Sequence, residues 1–124
     1  EDHKQFSEFK QIASPEDLNT LIQSVHEVHA SNSIINYIVN LIGETRRHPD
    51  IRLGCSPRAS IGLLRSAKAM AYMEGRQHVL PSDVINLVQP VLAHRIIVGA
   101  KGNTFQIVDE ILSLVSVPPG DFRP

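Results

Sequence analysis

The sequence predicts an all-α fold, a small bundle of about five helices, on three observations. Apolar residues recur at three- and four-residue spacing through five separate stretches, and several of these stretches are introduced by a proline beside a serine, as in Ser14-Pro15, Ser56-Pro57 and Pro81-Ser82. Strand-forming residues run together only at Ile96-Ile97-Val98, too short for a sheet of useful size. With 124 residues and 42% hydrophobic content, the chain can bury one core without disulfides or a structural metal.

Each element follows from its own signals. Ser14-Pro15-Glu16-Asp17 puts a cap, a proline and two acids at the start of a first helix, with Leu18, Leu21, Ile22, Val25 and Val28 at helical spacing as its inner stripe. A second helix is expected from about Ser33 to Arg47, with Ile34, Ile35, Ile38, Leu41, Ile42 and Thr45 inward and Val39 at the margin. Arg46 and Arg47 suit its negative end, and His48-Pro49-Asp50 stops it. Residues 51–55 read as a short connector, turned sharply at Gly54. The third helix begins at Ser56-Pro57 and runs to Glu74, with Gly75 as its stop. A fourth opens at Pro81 with Val84, Ile85, Leu87 and Val88 inward, and Pro90 is expected to break or kink it before Val91 to His94, giving a helix in two pieces. Residues 95–101 read as extended, and Gly102-Asn103 leads into a last helix with Ile107, Val108, Ile111, Leu112 and Val115 inward.

Charge and cysteine content remove several classes of function. Twelve Lys plus Arg against thirteen Asp plus Glu leave a formal charge of -1, no field for holding a nucleic-acid backbone. No apolar run reaches the roughly 18 residues of a membrane span, so no membrane insertion is expected. The single cysteine, Cys55, cannot form an internal disulfide and fits a reducing cytoplasm. The chain opens on Glu1 rather than Met and closes on Asp121-Phe122-Arg123-Pro124 after a Pro-Pro pair, so it reads as an excised piece or a processed product, and a segment upstream is expected.

The third helix carries the most informative residue. Ser56 is placed to cap it, Pro57 at its first position has no amide hydrogen to waste, and Arg58 then falls in the first turn. A surface cation costs roughly 0.3 to 1 kcal/mol there, whereas an anion is favoured by the open amides and by the helix dipole. A docked phosphate reverses the sign, since Arg58 then adds charge-assisted hydrogen bonds of about 1.5 to 3 kcal/mol each. The alternative is an Arg58 paired with a neighbouring carboxylate. At 100° per residue Leu63, Leu64, Ala67, Met70 and Ala71 share one face, and Arg58, Arg65, Lys68 and Tyr72 share another that holds no acid.

These residues carry a family resemblance. Ser56-Pro57-Arg58-Ala59-Ser60, Leu63-Leu64-Arg65-Ser66-Ala67-Lys68-Ala69, Glu74-Gly75-Arg76, Pro81-Ser82-Asp83-Val84 and Pro90-Val91-Leu92-Ala93-His94-Arg95 resemble the C-terminal helical lid of MoxR-type AAA+ ATPases. Tyr37 to Leu41 with Thr45-Arg46 resembles the earlier helix of that lid, so the likeness runs from about Ser14 to Val115. Cys55 and Leu80 depart from the pattern, standing where the family often has an alanine and a capping threonine. The resemblance implies that Arg58 is the sensor 2 residue, reaching from the lid to the terminal phosphates of ATP held on a P-loop domain, with Arg65 as a second candidate for the same anion. It implies ATP with Mg²⁺, a hexameric ring whose neighbouring subunits are partners, and chaperone-like work on von Willebrand factor A domain proteins. On this reading residues 1–13 are a linker from an upstream ATPase core, 14–116 the lid, and 117–124 a tail.

The chain contains no G-x-x-x-x-G-K-[ST] run and no Walker B acid, so no ATP hydrolysis is expected of it alone. A single arginine contact of about 3 kcal/mol falls short of the roughly 4 kcal/mol that millimolar affinity requires, so no nucleotide is expected to bind this chain tightly by itself. His26 and His29 stand three apart on the first helix, a spacing that can present two ligands to a metal, but no Cys or carboxylate set completes it. His94 reads as a structural or solvent-facing histidine and Cys55 as a structural thiol. The runner-up function is a free-standing helical adaptor that binds a protein partner through an apolar face. Nucleic-acid binding through Arg58, Arg65 and Lys68 ranks lower, since the stripe is short and Tyr72 alone offers stacking.

Overall fold

The computed structural model describes residues 8–119. Residues 1–7 of the expected linker and 120–124 of the expected tail lie outside the described residues. Among the described residues five helices form, as expected: α1 (Pro15–His26), α2 (Asn32–Arg47), α3 (Pro57–Met73), α4 (Pro81–Leu92) and α5 (Thr104–Leu114). A 3₁₀ turn (Ala93–Arg95) extends α4, and two short strands, β1 (Ile51–Leu53) and β2 (Ile97–Val98), complete the order.

The caps account for most boundaries. Ser14 and Asp17 close a reciprocal capping box at α1, the Ser31 hydroxyl accepts from Ile34 N–H at α2, and Asn103 accepts from Phe105 and Gln106 N–H at α5. The second helix thus starts slightly before the expected Ser33. The α3 end is a glycine stop in which Gly75 adopts φ 74°, its N–H donates to Tyr72 O at 2.9 Å, and Arg76 N–H reaches back to Ala71 O at 2.9 Å. Only a residue without a Cβ takes that left-handed conformation without strain.

Two expectations fail on this backbone. Pro90 does not divide the fourth helix. It lies near the end and faces solvent, so the one hydrogen bond it removes leaves the Asn86 carbonyl to water, and α4 runs on to Leu92 before tightening at Ala93. The connector 51–55 is not wholly irregular, because residues 51–53 form β1 and pair antiparallel with β2, Ile51 opposite Val98 and Leu53 opposite Ile97. The apolar stretch at Ile96-Ile97-Val98 does use a strand, with a partner whose three residues were too few to read as one.

The core gathers Ile34, Tyr37, Ile38, Leu41 and Ile42 from α2, Ala59, Leu63, Ala67 and Ala71 from α3, Val84, Val88 and Leu92 from α4, and Ile107, Val108 and Ile111 from α5. Small alanines on α3 let the neighbouring helices approach closely. Helix α1 departs from expectation. None of its residues is buried, and Leu18, Leu21 and Ile22 are 55%, 46% and 47% exposed. Its apolar stripe is a surface, not core, and only Val28, beyond the helix end, reaches the interior. Ile35 on α2, expected inward, is also exposed, while Tyr37 takes a core position.

The turn from α3 to α4 is held by charge. Asp83, buried, accepts from both terminal nitrogens of Arg76 at 2.8 and 2.6 Å and from Leu80 N–H at 2.8 Å. It therefore supplies the cap that the Leu80 side chain cannot, and the carboxylate holds the Arg76 guanidinium above its usual pKa range through that hydrogen bond. Removing one partner of a buried pair costs about 3 to 5 kcal/mol, and Arg76 keeps some contact with water. Asp83→Ala is therefore expected to destabilise the chain by about 3 kcal/mol in urea unfolding, with Asp83→Asn losing less.

Candidate functional site

The start of α3 is fixed by the end of α2. Thr45 Oγ1 donates to Ile42 O at 2.6 Å and accepts from Cys55 N–H at 2.9 Å, and Arg46 Nε donates to Cys55 O at 2.9 Å. Both backbone groups of Cys55 are thus held by consecutive side chains of one helix, immediately before Ser56. Gly54 is required for a reason other than the expected sharp turn. A Cβ there would fall 2.6 Å from Thr45 O, so the loop passes against the α2 backbone too closely for any side chain.

Ser56 takes the N-cap position with extended backbone, but its hydroxyl makes no capping hydrogen bond, contrary to expectation. The turn is closed through the backbone, Ala59 N–H donating to Ser56 O at 2.9 Å. Pro57 follows at the first helical position as expected. No acid lies in the first turn of α3. Arg58 stands there exposed, and among the described residues its guanidinium has neither an ion pair nor a hydrogen bond. The carboxylate partner offered as its alternative explanation is therefore absent among the described residues.

Other cations meet the same helix start. Arg46 and Arg52 line a shallow pocket with Gly54, Cys55 and Ser56. Arg95, from the 3₁₀ turn, brings its terminal nitrogen to within 3.8 Å of where a Cβ on Gly62 would lie. Burial pushes the Cys55 thiol up, against a smaller downward pull from its hydrogen bond with Thr45 and the charges of Arg95 and Arg46. That suits a structural thiol. Arg46 and Arg95 are not legible as site neighbours, because Arg46 meets the site only where the 48–55 loop folds back against α2, and Arg95 only where α4 returns along α3.

The basic stripe of α3 does not continue as one face. Lys68 Nζ donates to His26 O at 3.0 Å, satisfying the end of α1, and Tyr72 packs against the core. Arg65 lines a groove between α1 and α3 with Leu21, Ile22, Val25, His26, Lys68 and Ala69. The histidine pair dissolves as well. His29 lies beyond α1 and ties by its backbone to Gln77 and Val79, away from the helical register that would align it with His26. A different trio approaches metal-binding geometry, since ligand atoms of His48, Asp50 and Glu110 lie within 4.8 Å of one another. The buried His48 ring is already engaged at both nitrogens, with Nδ1 accepting from Asp50 N–H at 3.2 Å and Nε2 2.8 Å from Glu110, which ties the α2 end to α5.

Thr45→Val keeps the shape but leaves the buried Cys55 N–H without its acceptor, and is expected to cost about 1 to 3 kcal/mol by chemical denaturation. Thr45→Ser, which keeps the hydroxyl, should recover most of that loss. Gly54→Ala should destabilise by a similar amount or more through backbone overlap. The Cys55 thiol should react slowly with a disulfide reagent at mildly alkaline pH and fast only in denaturant; rapid reaction of the folded chain would contradict its burial.

Comparison with known proteins agrees with this architecture. The family model described as the AAA lid domain matches residues 43–112, more than half of the chain. The Bacillus subtilis protein YeaC, itself uncharacterized, is 40% identical over 112 residues, covering 86% of this chain and 35% of its own length. The chaperone MoxR1 of Mycobacterium tuberculosis is 30% identical over 83% of this chain and 30% of its own, and the protein MoxR of Paracoccus denitrificans 39% identical over 64% and 27%. The crystal structure of a candidate ATPase from Cytophaga hutchinsonii superposes with a TM-score of 0.81 at 32% identity, covering 88% of this chain and 37% of that one. The chain spans about a third of the length of the curated relatives it matches. It belongs to the AAA lid domain family and is the helical lid of a MoxR-type AAA+ protein.

Proposed function

We propose that this chain is the nucleotide-sensing lid of a ring-forming, ATP-driven remodelling machine. Arg58 is its sensor, contacting the terminal phosphates of ATP held with Mg²⁺ on the P-loop domain of the same protein. One observation carries the reading: an exposed arginine without an ion pair or hydrogen bond among the described residues stands in the positive first turn of α3. The residues fit a phosphate there. The Ser56 hydroxyl does not occupy the first-turn amides, no acid competes, and Thr45 with Arg46 holds the loop in place so that little ordering is left for the ligand to impose. Mg²⁺ would find no carboxylate of this site to bind, and belongs with the P-loop domain.

ATP supplies the difference between two states, and the lid converts it into movement. A guanidinium that meets a terminal phosphate favours the lid position in which that contact exists, and loss of the phosphate removes the preference. The rigid bundle then passes the change to neighbouring subunits, in a hexamer on this reading. The work is chaperone-like, carried out in the cytoplasm, with von Willebrand factor A domain proteins as clients. Arg65 is a second candidate for the anion, although it lies seven residues along α3, about 10 Å from Arg58.

A second reading, a helical adaptor, draws support from the exposed Leu18, Leu21 and Ile22 stripe of α1, which suits a protein contact. The two separate on one variant. Arg58→Ala in the full-length protein is expected to weaken ATP binding about tenfold or more and to lower turnover. Unchanged ATP affinity and turnover would remove the sensor and leave the adaptor.

A further inference from the structure

We propose that Arg95 is a second phosphate-contacting residue of the site, so that the lid grips the terminal phosphates of ATP between two guanidiniums carried by different elements. This rests on the reading of Arg58 as the sensor and adds to it a residue from the far end of the chain. Gly62 lies four residues after Arg58, one turn along the same side of α3 and about 6 Å away. The Arg95 guanidinium stands over that glycine, 3.8 Å from the position of a Cβ. It also lies near enough to the Cys55 thiol, at the other side of the helix start, for its charge to act there. Arg95 is therefore beside the first two turns of α3, on the side that carries Arg58.

Like Arg58, Arg95 is exposed and has no ion pair or hydrogen bond among the described residues. Two unpaired cations on one side of a helix start that is already positive repel each other and the dipole. An anion between them is attracted by both cations and by the positive helix end, and these attractions offset the repulsions. Other arginines are less suited. Arg46 spends its Nε on Cys55 O, and Arg65 lies in the groove against α1, two turns from Arg58. A guanidinium presents paired donors to a phosphate, so two of them distinguish a chain of phosphates from a single one.

The decisive measurement is equilibrium binding of ATP, of ADP and of inorganic phosphate to the full-length protein. Arg95→Ala should weaken ATP by about tenfold and ADP by clearly less, and Arg58→Ala should do the same. Gly62→Glu gives a second route that leaves Arg95 in place. Its carboxylate would reach the Arg95 guanidinium and, one turn back, that of Arg58, so it should weaken ATP at least as strongly as either arginine variant, while thermal unfolding of the variant reports whether the fold survives. Full ATP affinity in both Arg95→Ala and Gly62→Glu, with Arg58→Ala still impaired, would overturn Arg95 alone. Unchanged affinity in Arg58→Ala would overturn the sensor reading beneath it. Loss in Arg65→Ala but not in Arg95→Ala would assign the second contact to the α1 groove instead.

Discussion

The hydrogen bonds from the end of α2 to Cys55 are the constraint on which the rest of this domain depends. Nine residues, 48–56, with a three-residue strand and Gly54 among them, separate α2 from α3, and such a link would ordinarily leave the second helix free to take several directions. Thr45 and Arg46 remove that freedom by holding the amide and carbonyl of Cys55. Gly54 permits the close pass that brings Cys55 within their reach. Because Cys55 immediately precedes Ser56, the same bonds aim the first turn of α3. Buried hydrogen bonds of this kind contribute little net energy when made and cost considerably more when half removed. Their chief effect here is to specify one geometry.

Much of the helical plan could be read from side chains acting within their own segment. Ser14 and Asp17, Asn103, and Gly75 each operate on backbone groups two to four residues away, so their roles are legible in a short window. Residues that act across segments were not. Gly54 was read as a turn because nothing local reveals that its missing Cβ makes room for Thr45 O. Ser56 was read as a capping side chain, although the turn closes through its carbonyl. Pro90 carries the local signature of a break or kink, although its place near a solvent-facing helix end makes the lost hydrogen bond cheap. The stripe on α1 has the periodicity of a core helix, and periodicity cannot say whether a partner lies within the same chain. Arg58 stood out because it conflicts with its own helix dipole, whereas Arg95 became informative only once α4 had returned along α3.

The surface divides its chemistry by region. At the start of α3 lie exposed cations with no acid in the first turn. Leu18, Leu21 and Ile22 of α1, Val39 of α2 and Ile61 of α3 are exposed as well, with further apolar side chains in two grooves, one between α1 and α3 and one between α2 and α3. A domain whose core is built mainly from α2 to α5 leaves these apolar side chains without a buried role. The segregation fits a domain whose contacts with small anions and with protein are made by separate parts.

The turn around Asp83 carries a mechanical consequence. Helix α3 extends about 25 Å from Arg58 to Gly75, and α4 comes back far enough for Arg95 to stand beside Gly62. At the remote end the two helices meet in a joint where one buried carboxylate binds both Arg76 and the amide of Leu80, the residue that caps α4. Such a joint resists both bending and twisting, since either would pull a charged hydrogen bond out of line. The hairpin therefore behaves as a stiff two-pronged fork. A push on one tine is therefore felt by the other, and the tine formed by α3 is also tied at its tip, where Thr45 and Arg46 of α2 hold Cys55.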